Sequence, residues 1–306
     1  MSFTPQSRPA LGISATERET GLGKDTLRVW ERRYGFTQPE RDSNGERLYP
    51  AEQVDRLRLI KRLMDQGHRP GRLMASSEAD LAALYTPAAA PAKPDATDNA
   101  PLRQLLALVK THDVPQLRSA LHQAMLRQGL QDFVLHSLTA LNHAVGEAWM
   151  SGEFEIFEEH LYTEQVQALL RQAIASLPVR SGSPRILLTT LPEEQHGLGL
   201  LMAEALLALD GATCVSLGTQ TPLFDIAMAA RSQQADVVAL SFSIAYPSRQ
   251  IAPQLTQLRT MLPETTELWA GGGGAGRLAA QPGIRPLPAL PDALAALAAW
   301  RATNGI

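Results

Sequence analysis

The chain has 306 residues, 44% of them hydrophobic and 19% charged, which is the composition of a globular protein of two or three domains. Its longest apolar run, LGLLMAEALLALDG, is broken by Glu204 and Asp210 and is too short for a membrane span. The single Cys214 excludes an internal disulfide framework, so a cytoplasmic protein with no membrane partner and no secretory signal is expected. The net charge of −3 is unevenly spread: residues 1–75 hold 14 Lys/Arg against 10 Asp/Glu and the remainder 14 against 21, which points to a nucleic-acid-binding head.

In chain order, residues 13–35 read ISATERETGLGKDTLRVWERRYG, two helices around a tight turn. Ser14 followed three residues later by Glu17 predicts a capping box on the first helix, and Gly21 and Gly23 permit the turn. The second helix, from about Lys24, carries Thr26, Arg28, Arg32 and Arg33, donors suited to phosphates and guanine edges, with Leu27 and Trp30 as apolar anchors. Taken alone, the segment reads equally well as an amphipathic helix with a solvated basic face. The following YGFTQPERDSNGERLYP favours DNA. Asn44-Gly45 predicts a two-residue hairpin turn with positive φ at both positions, flanked by Arg41, Arg47 and Tyr49, and Pro50 opens a third helix through AEQVDRLRLIKRLMDQG.

A basic hairpin behind a basic helix is the layout of a winged helix. Over residues 11–75, and above all in TLRVWERRYG, RLYP and QGHRPGRL, the head resembles the MerR family of transcriptional regulators. The resemblance implies that Thr26, Arg28, Arg32, Arg33 and Tyr34 lie at or near a double-stranded DNA operator, with Arg41 and Arg47 in the wing and Leu27 and Trp30 in the core. Such regulators usually dimerise through a long helix after the head. Here residues 86–101, TPAAAPAKPDATDNAP, have linker composition instead, so assembly into a homo-oligomer, a dimer or tetramer, is expected to run through the body.

Four helical segments follow, about 102–111, 115–128, 130–149 and 155–177, the pattern of a four-helix bundle. After PVRSGSPR come RILLTTL, ATCVSLG, DVVALSFS, ELWAGGG and a weak IRPLP, each followed by a helix-compatible stretch, which predicts a doubly wound, flavodoxin-like parallel sheet. The expected fold class is therefore multidomain, α + α/β. It comprises a winged helix-turn-helix DNA-binding domain over 1–85, a linker over 86–100, the four-helix bundle over 101–180 and a Rossmann-like domain over 181–306.

The loop after the first of these strands, PEEQHGLGL, holds Glu194, His196, Gly197 and Gly199 in an E-x-H-x-x-G order. It offers a metal-ligating imidazole, a carboxylate placed to take its other ring N–H, and glycines where a bulky ligand comes close. A lone loop histidine is otherwise a solvated surface residue. Ser241 and Ser243 at the third strand end, with Gly271, Gly272, Gly273 and Gly274 at the fourth, add a slot of hydroxyls and bare backbone, although singly they read as a strand cap and a flexible loop. Together with His196 these residues resemble the cobalamin-binding fold over about 101–300. The resemblance implies that the nucleotide tail enters the slot and that His196 is the lower axial cobalt ligand, oriented by Glu194. The family more often has Asp at the position of Glu194 and an aliphatic residue at that of Ser243.

In the bundle, Trp149 is followed after nine residues by Glu159-His160. Unaided, the tryptophan reads as core and the pair as surface. The spacing resembles the cobalamin-dependent photoreceptor regulators of the CarH type, which implies that the three residues cover the upper face of adenosylcobalamin. In light-responsive members a histidine follows the tryptophan and captures cobalt after photolysis. Here that position is Met150, whose thioether is a poor substitute, and a light response through that adduct is not expected unless His143 or His160 replaces it. The resulting reading is a DNA-binding transcriptional repressor, not an enzyme, whose oligomeric state and DNA binding are controlled by cobalamin. Two rivals use the same scaffold: a corrinoid carrier or mutase-type enzyme component, which needs a catalytic partner domain, and a sensor of haem or another tetrapyrrole.

Overall fold

A computed structural model describes residues 10–43, 45–65, 68–84, 100–150, 153–178, 182–279 and 281–305. The chain divides into two compact units, Met1–Lys93 with Met150–Glu153, and Pro94–Trp149 with Phe154–Ile306. Apart from Ala100, the expected linker lies outside the described residues.

The first unit runs β1 (Leu11–Gly12), α1 (Ile13–Thr20), α2 (Lys24–Tyr34), β2 (Glu40–Arg41), β3 (Arg47–Tyr49), α3 (Ala51–Asp65), α4 (Pro70–Met74) and α5 (Glu78–Leu84). Its antiparallel sheet has the order β1-β3-β2, so the expected wing is present. Leu27 and Trp30 of α2 join Val54, Leu57, Ile60 and Leu63, the helical-period stripe of α3, in one buried core. Gly21, at φ 66°, lets its N–H return to the Glu17 carbonyl and ends α1.

Two local expectations are corrected. Pairing of β1 with β3 carries the chain straight into α1 at Ile13, so the N-cap is Gly12, Ser14 lies inside the first turn, and no side chain caps the helix. Glu17 acts elsewhere: its Oε1 accepts the Lys24 N–H at 3.1 Å and caps the next helix. The wing hairpin is also longer than a two-residue turn. The Gly45 N–H donates to the Asp42 carbonyl (3.0 Å), the Asp42 N–H donates to the Glu46 carbonyl (3.0 Å), and Gly45 has φ 78°. The Asp42 carboxylate accepts the Glu46 N–H at 2.8 Å and so fixes the wider loop. Asn44 lies outside the described residues.

The second unit begins with the four expected helical segments. They are α6 (Ala100–Lys110), α7 (Val114–Gln128), α8 (Leu130–Asp132) continuing through a π-helical turn (Phe133–Leu138) into α9 (Thr139–Met150), and α10 (Ile156–Ala175). Asp113 caps α7, and Glu155 and Glu158 form a capping box on α10. The sheet follows as β4 (Arg185–Thr189), α11 (Leu198–Leu209), β5 (Thr213–Ser216), α12 (Leu223–Ser232), β6 (Val237–Ser241), α13 (Ser248–Met261), β7 (Glu267–Gly271), a 3₁₀ turn (Gly273–Arg277), β8 (Ile284–Leu287) and α14 (Leu290–Asn304).

All five strands are parallel in the order β5-β4-β6-β7-β8, and the weak IRPLP segment is the edge strand β8. Alternate residues serve opposite faces: Ile186 and Leu188 enter one apolar layer and Leu187 the other. Met202, Ala205 and Leu206 of α11 are buried in the same core as Val109, Leu141, Val145 and Val166 of the bundle, so the bundle and α11 share one apolar interior. Among the described residues no helix is long and apolar enough to cross a membrane.

Candidate functional site

In the head, burial of Leu27 and Trp30 turns the opposite side of α2 outward. Arg28, Arg32 and Arg33 are exposed, and Thr26 and Tyr34 are half-buried beside them. Arg28 Nη1 lies 3.0 Å from Asp25 Oδ1, an exposed pair of the kind that contributes at most about 1 kcal/mol. The Arg33 guanidinium lies over the Tyr34 ring at 5.4 Å. The two wing arginines are engaged differently. Arg41 Nη1 donates to the Gly45 carbonyl at 2.7 Å, across its own hairpin loop. Arg47 Nε donates to Glu31 Oε2 at 2.6 Å, and that hydrogen bond holds the guanidinium pKa above its ordinary value.

In the sheet, the strand order sets the loops after β4, β6 and β7 side by side at the carboxyl edge, where open α/β sheets take ligands. Glu194 is only 1% exposed. Its Oε1 accepts the His196 backbone N–H (2.9 Å) and stands 2.7 Å from His196 Nδ1, while its Oε2 accepts the Ser243 N–H at 2.7 Å. Burial by itself would raise this carboxyl, but the bonds from the His196 ring, the His196 backbone and the Ser243 backbone outweigh it and hold the pKa below the usual range.

An ionised Glu194 can only accept, so Nδ1 of His196 is the donor, and in the neutral ring the lone pair then belongs to Nε2. The imidazole is thus turned by a buried carboxylate while its side chain stays 65% exposed, as when a carboxylate takes the other ring N–H of a metal-bound histidine. Ser243 Oγ lies 3.1 Å from the same Nδ1. Among the described residues no group of three or more His, Cys, Asp or Glu could hold a bare metal ion. A single imidazole with Nε2 free and Nδ1 held by a buried carboxylate is a donor set that a metal already held in a macrocycle could use.

The glycines differ in purpose. A Cβ on Gly272 (φ 89°) would stand 2.4 Å from the Phe242 carbonyl oxygen, one on Gly274 2.5 Å from that of Ser243, and one on Gly273 2.8 Å from Ile244 Cγ2. The loops after β6 and β7 therefore touch backbone to backbone. A Cβ on Gly197 would meet Thr219 Cγ2 at 3.0 Å, whereas Gly199 has ordinary contact with Ser241 Oγ at 3.6 Å. Gly271 and Ser241 are the last residues of β7 and β6 and pair in register.

At the bundle, Trp149 is half-buried against the core at the end of α9. Glu159 is half-buried in the first turn of α10, where its Oε1 accepts the Thr163 hydroxyl at 2.7 Å. Its Oε2 lies 3.6 Å from Nε2 of the exposed His160. The side chain of Met150 lies outside what the structure describes, and His143 Nδ1 is 3.5 Å from Glu147 Oε2.

Two features escaped the sequence reading. Thr190, directly after β4, donates its hydroxyl to the Glu194 carbonyl at 2.7 Å and accepts the Gln220 N–H at 2.8 Å, which ties the histidine loop to the loop after β5. Glu158 is buried at the foot of α10. Its Oε1 lies 2.8 Å from His112 Nε2, and its Oε2 lies 3.1 Å from Lys110 Nζ and accepts the Glu155 N–H at 2.7 Å. Burial would raise this carboxyl too, but the Glu155, His112 and Lys110 contacts hold it below the ordinary value. The signal was present: Glu158 stands four residues before Tyr162 on the stripe that continues through Val166 and Leu169.

Residues 11–73 match the model of the MerR HTH family regulatory protein, and residues 101–174 match that of a B12 binding domain. The HTH-type transcriptional repressor CarH of Myxococcus xanthus is 31% identical over 86% of this chain and 89% of its own length. The repressor CarA of the same organism is 28% identical over 83% of this chain and 84% of its own. The monomethylamine corrinoid protein of Methanosarcina barkeri, a solved structure 14% identical in sequence, superposes with a TM-score of 0.49 over 66% of this chain and 99% of its own.

Proposed function

Since the chain belongs to the family of the HTH-type transcriptional repressor CarH, in which a MerR head is joined to a B12-binding domain, we propose that it represses transcription as an assembly controlled by adenosylcobalamin. It is a DNA-binding transcriptional regulator with a cobalamin site, and it acts by binding rather than by catalysis. Its workplace is the cytoplasm, where operator DNA is reached.

The observation that carries the ligand assignment is the clamp of Glu194 on His196 Nδ1. When bound, the cofactor would supply a cobalt that accepts an imidazole and carries an organic group. His196 would provide that imidazole and Glu194 would fix its ring and tautomer. Gly197, Gly199, Ser241, Ser243, Gly271, Gly272 and Gly273 would line the space for the corrin and its tail. Trp149, Glu159 and His160, all from the bundle, would cover the upper substituent.

A ligand held by bundle and sheet together stabilises whichever packing of the two suits it. If that packing exposes the surface through which bodies associate, about 3 kcal/mol of preference for the assembled form shifts the assembly constant over a hundredfold. Linked heads then grip an operator with two half-sites far more tightly than single heads. The test is sedimentation in darkness with and without adenosylcobalamin, together with operator affinity. A rise in mass and a tighter complex are expected, and identical masses with identical affinities would overturn ligand-controlled assembly.

A further inference from the structure

Among the described residues of the first unit, Val29 is the one large apolar side chain left exposed, at 38%. Every other apolar anchor of α2 is buried. Folding gives little reason for a valine there: a β-branched side chain is a weak helix former, and at 38% exposure it gains only part of what full burial would give. Its neighbours on the helix surface, one turn before and one turn after, are Asp25, Thr26, Arg32 and Arg33. Arg28 precedes it, also exposed. Val29 is thus a single apolar spot among polar side chains, Thr26, Arg28, Arg32 and Arg33 as donors and Asp25 as an acceptor, on a helix with four basic and two acidic residues.

The major groove of a duplex offers an α-helix hydrogen-bonding base edges and one apolar feature, the C5 methyl of thymine. We infer that Val29 reads a thymine methyl in the operator, while the arginines around it take phosphates and guanine edges. The inference rests on the reading of the head as a DNA-binding module and adds a base-specific role for a residue that carries no charge and makes no hydrogen bond with its side chain. The contact is methyl to methyl, so it discriminates thymine from uracil, which differs by that one group.

The experiment uses the full chain and a duplex that it selects from a randomised pool. Each thymine of one half-site is replaced in turn by uracil. For the wild type, one replacement is expected to weaken binding about fourfold, the worth of one buried methyl group, and the rest to have little effect. In Val29→Ala, which favours the helix, that same replacement should cost nothing. If no uracil weakens the wild type, or if the penalty persists unchanged in Val29→Ala, the assignment to Val29 is overturned. Failure to select any duplex would instead sink the DNA-binding reading itself, and the two failures are distinguishable.

Discussion

Arg47 of the wing holds Glu31 of α2 through an Nε to Oε2 contact of 2.6 Å, so hairpin and helix are joined by a charge pair. The pair separates arginines that face outward from one that braces the hairpin against α2. Arg28, although paired with Asp25, stands on the exposed side of α2, whereas Arg47 is half-buried and turned toward α2.

The two arginines are therefore expected to respond differently to salt. Arg28→Ala should weaken operator binding and reduce the slope of log affinity against log salt by about 0.9, the signature of one lost phosphate contact. Arg47→Ala should weaken binding with little change of slope, since it loosens the wing. Fluorescence anisotropy between low and moderate salt distinguishes them, and a full unit lost from the slope in Arg47→Ala would make it a direct phosphate ligand.

His196→Ala should lose most of the affinity for cobalamin and change its absorption spectrum. Glu194→Gln should keep the loop but release the ring, lowering affinity by about 10- to 100-fold, as loss of the carboxylate behind a metal-bound histidine commonly does. Equilibrium dialysis with spectra decides the matter. A His196→Ala protein with unaltered affinity and spectrum would remove this residue from the cobalt.

Glu158 makes a prediction in pH. Its folded pKa is depressed, so its ionised form contributes stability that is fully present above the ordinary carboxylate value of 4.5 and is lost as pH falls through the lower folded value. Glu158→Gln should cost about 1–3 kcal/mol near pH 7, through weakened bonds to Lys110 and His112, and the gap to the wild type should narrow in acid. Denaturant melts of both proteins over this range provide the check. A gap independent of pH would mean that the charge of Glu158 has no part in holding α6 to α10.

Illumination of the protein with adenosylcobalamin is expected to give no spectrum of cobalt carrying two imidazoles, because Met150 follows Trp149. Met150→His should introduce that spectrum. Its appearance in the unaltered protein would point to His143 or His160 as the second imidazole.

What the sequence disclosed, and what it hid, follows the range over which each interaction acts. The helix opened by Pro50, the strand RILLT and the short Glu194–His196 spacing are local patterns, and each is found in the folded chain as read. Glu17 looked like a cap for its own helix, but its partner N–H is seven residues away and comes within reach only once the turn at Gly21 has formed. Asn44-Gly45 carried a strong turn signal, yet the Asp42 carboxylate competes for the same backbone and widens the loop. The bridge from Glu194 to Ser243 spans 49 residues and depends on β4 and β6 being neighbours, which sequence spacing does not specify.

The π-helical turn Phe133–Leu138 lies upstream of Trp149 in a continuous run of helix. A turn of this kind accommodates one residue more than an α-helix of the same rise, and each residue of an α-helix advances it by about 100°. Removing that one residue would thus let the turn close into regular α-helix at the same rise, with Leu141, Val145 and Trp149 kept on their faces. A one-residue deletion further on, within α9, has no surplus residue to absorb it and would turn Trp149 by about 100° away from the core. A change of length is therefore expected to be tolerated within the six residues of the π-helical turn and to be damaging in the regular helix that follows.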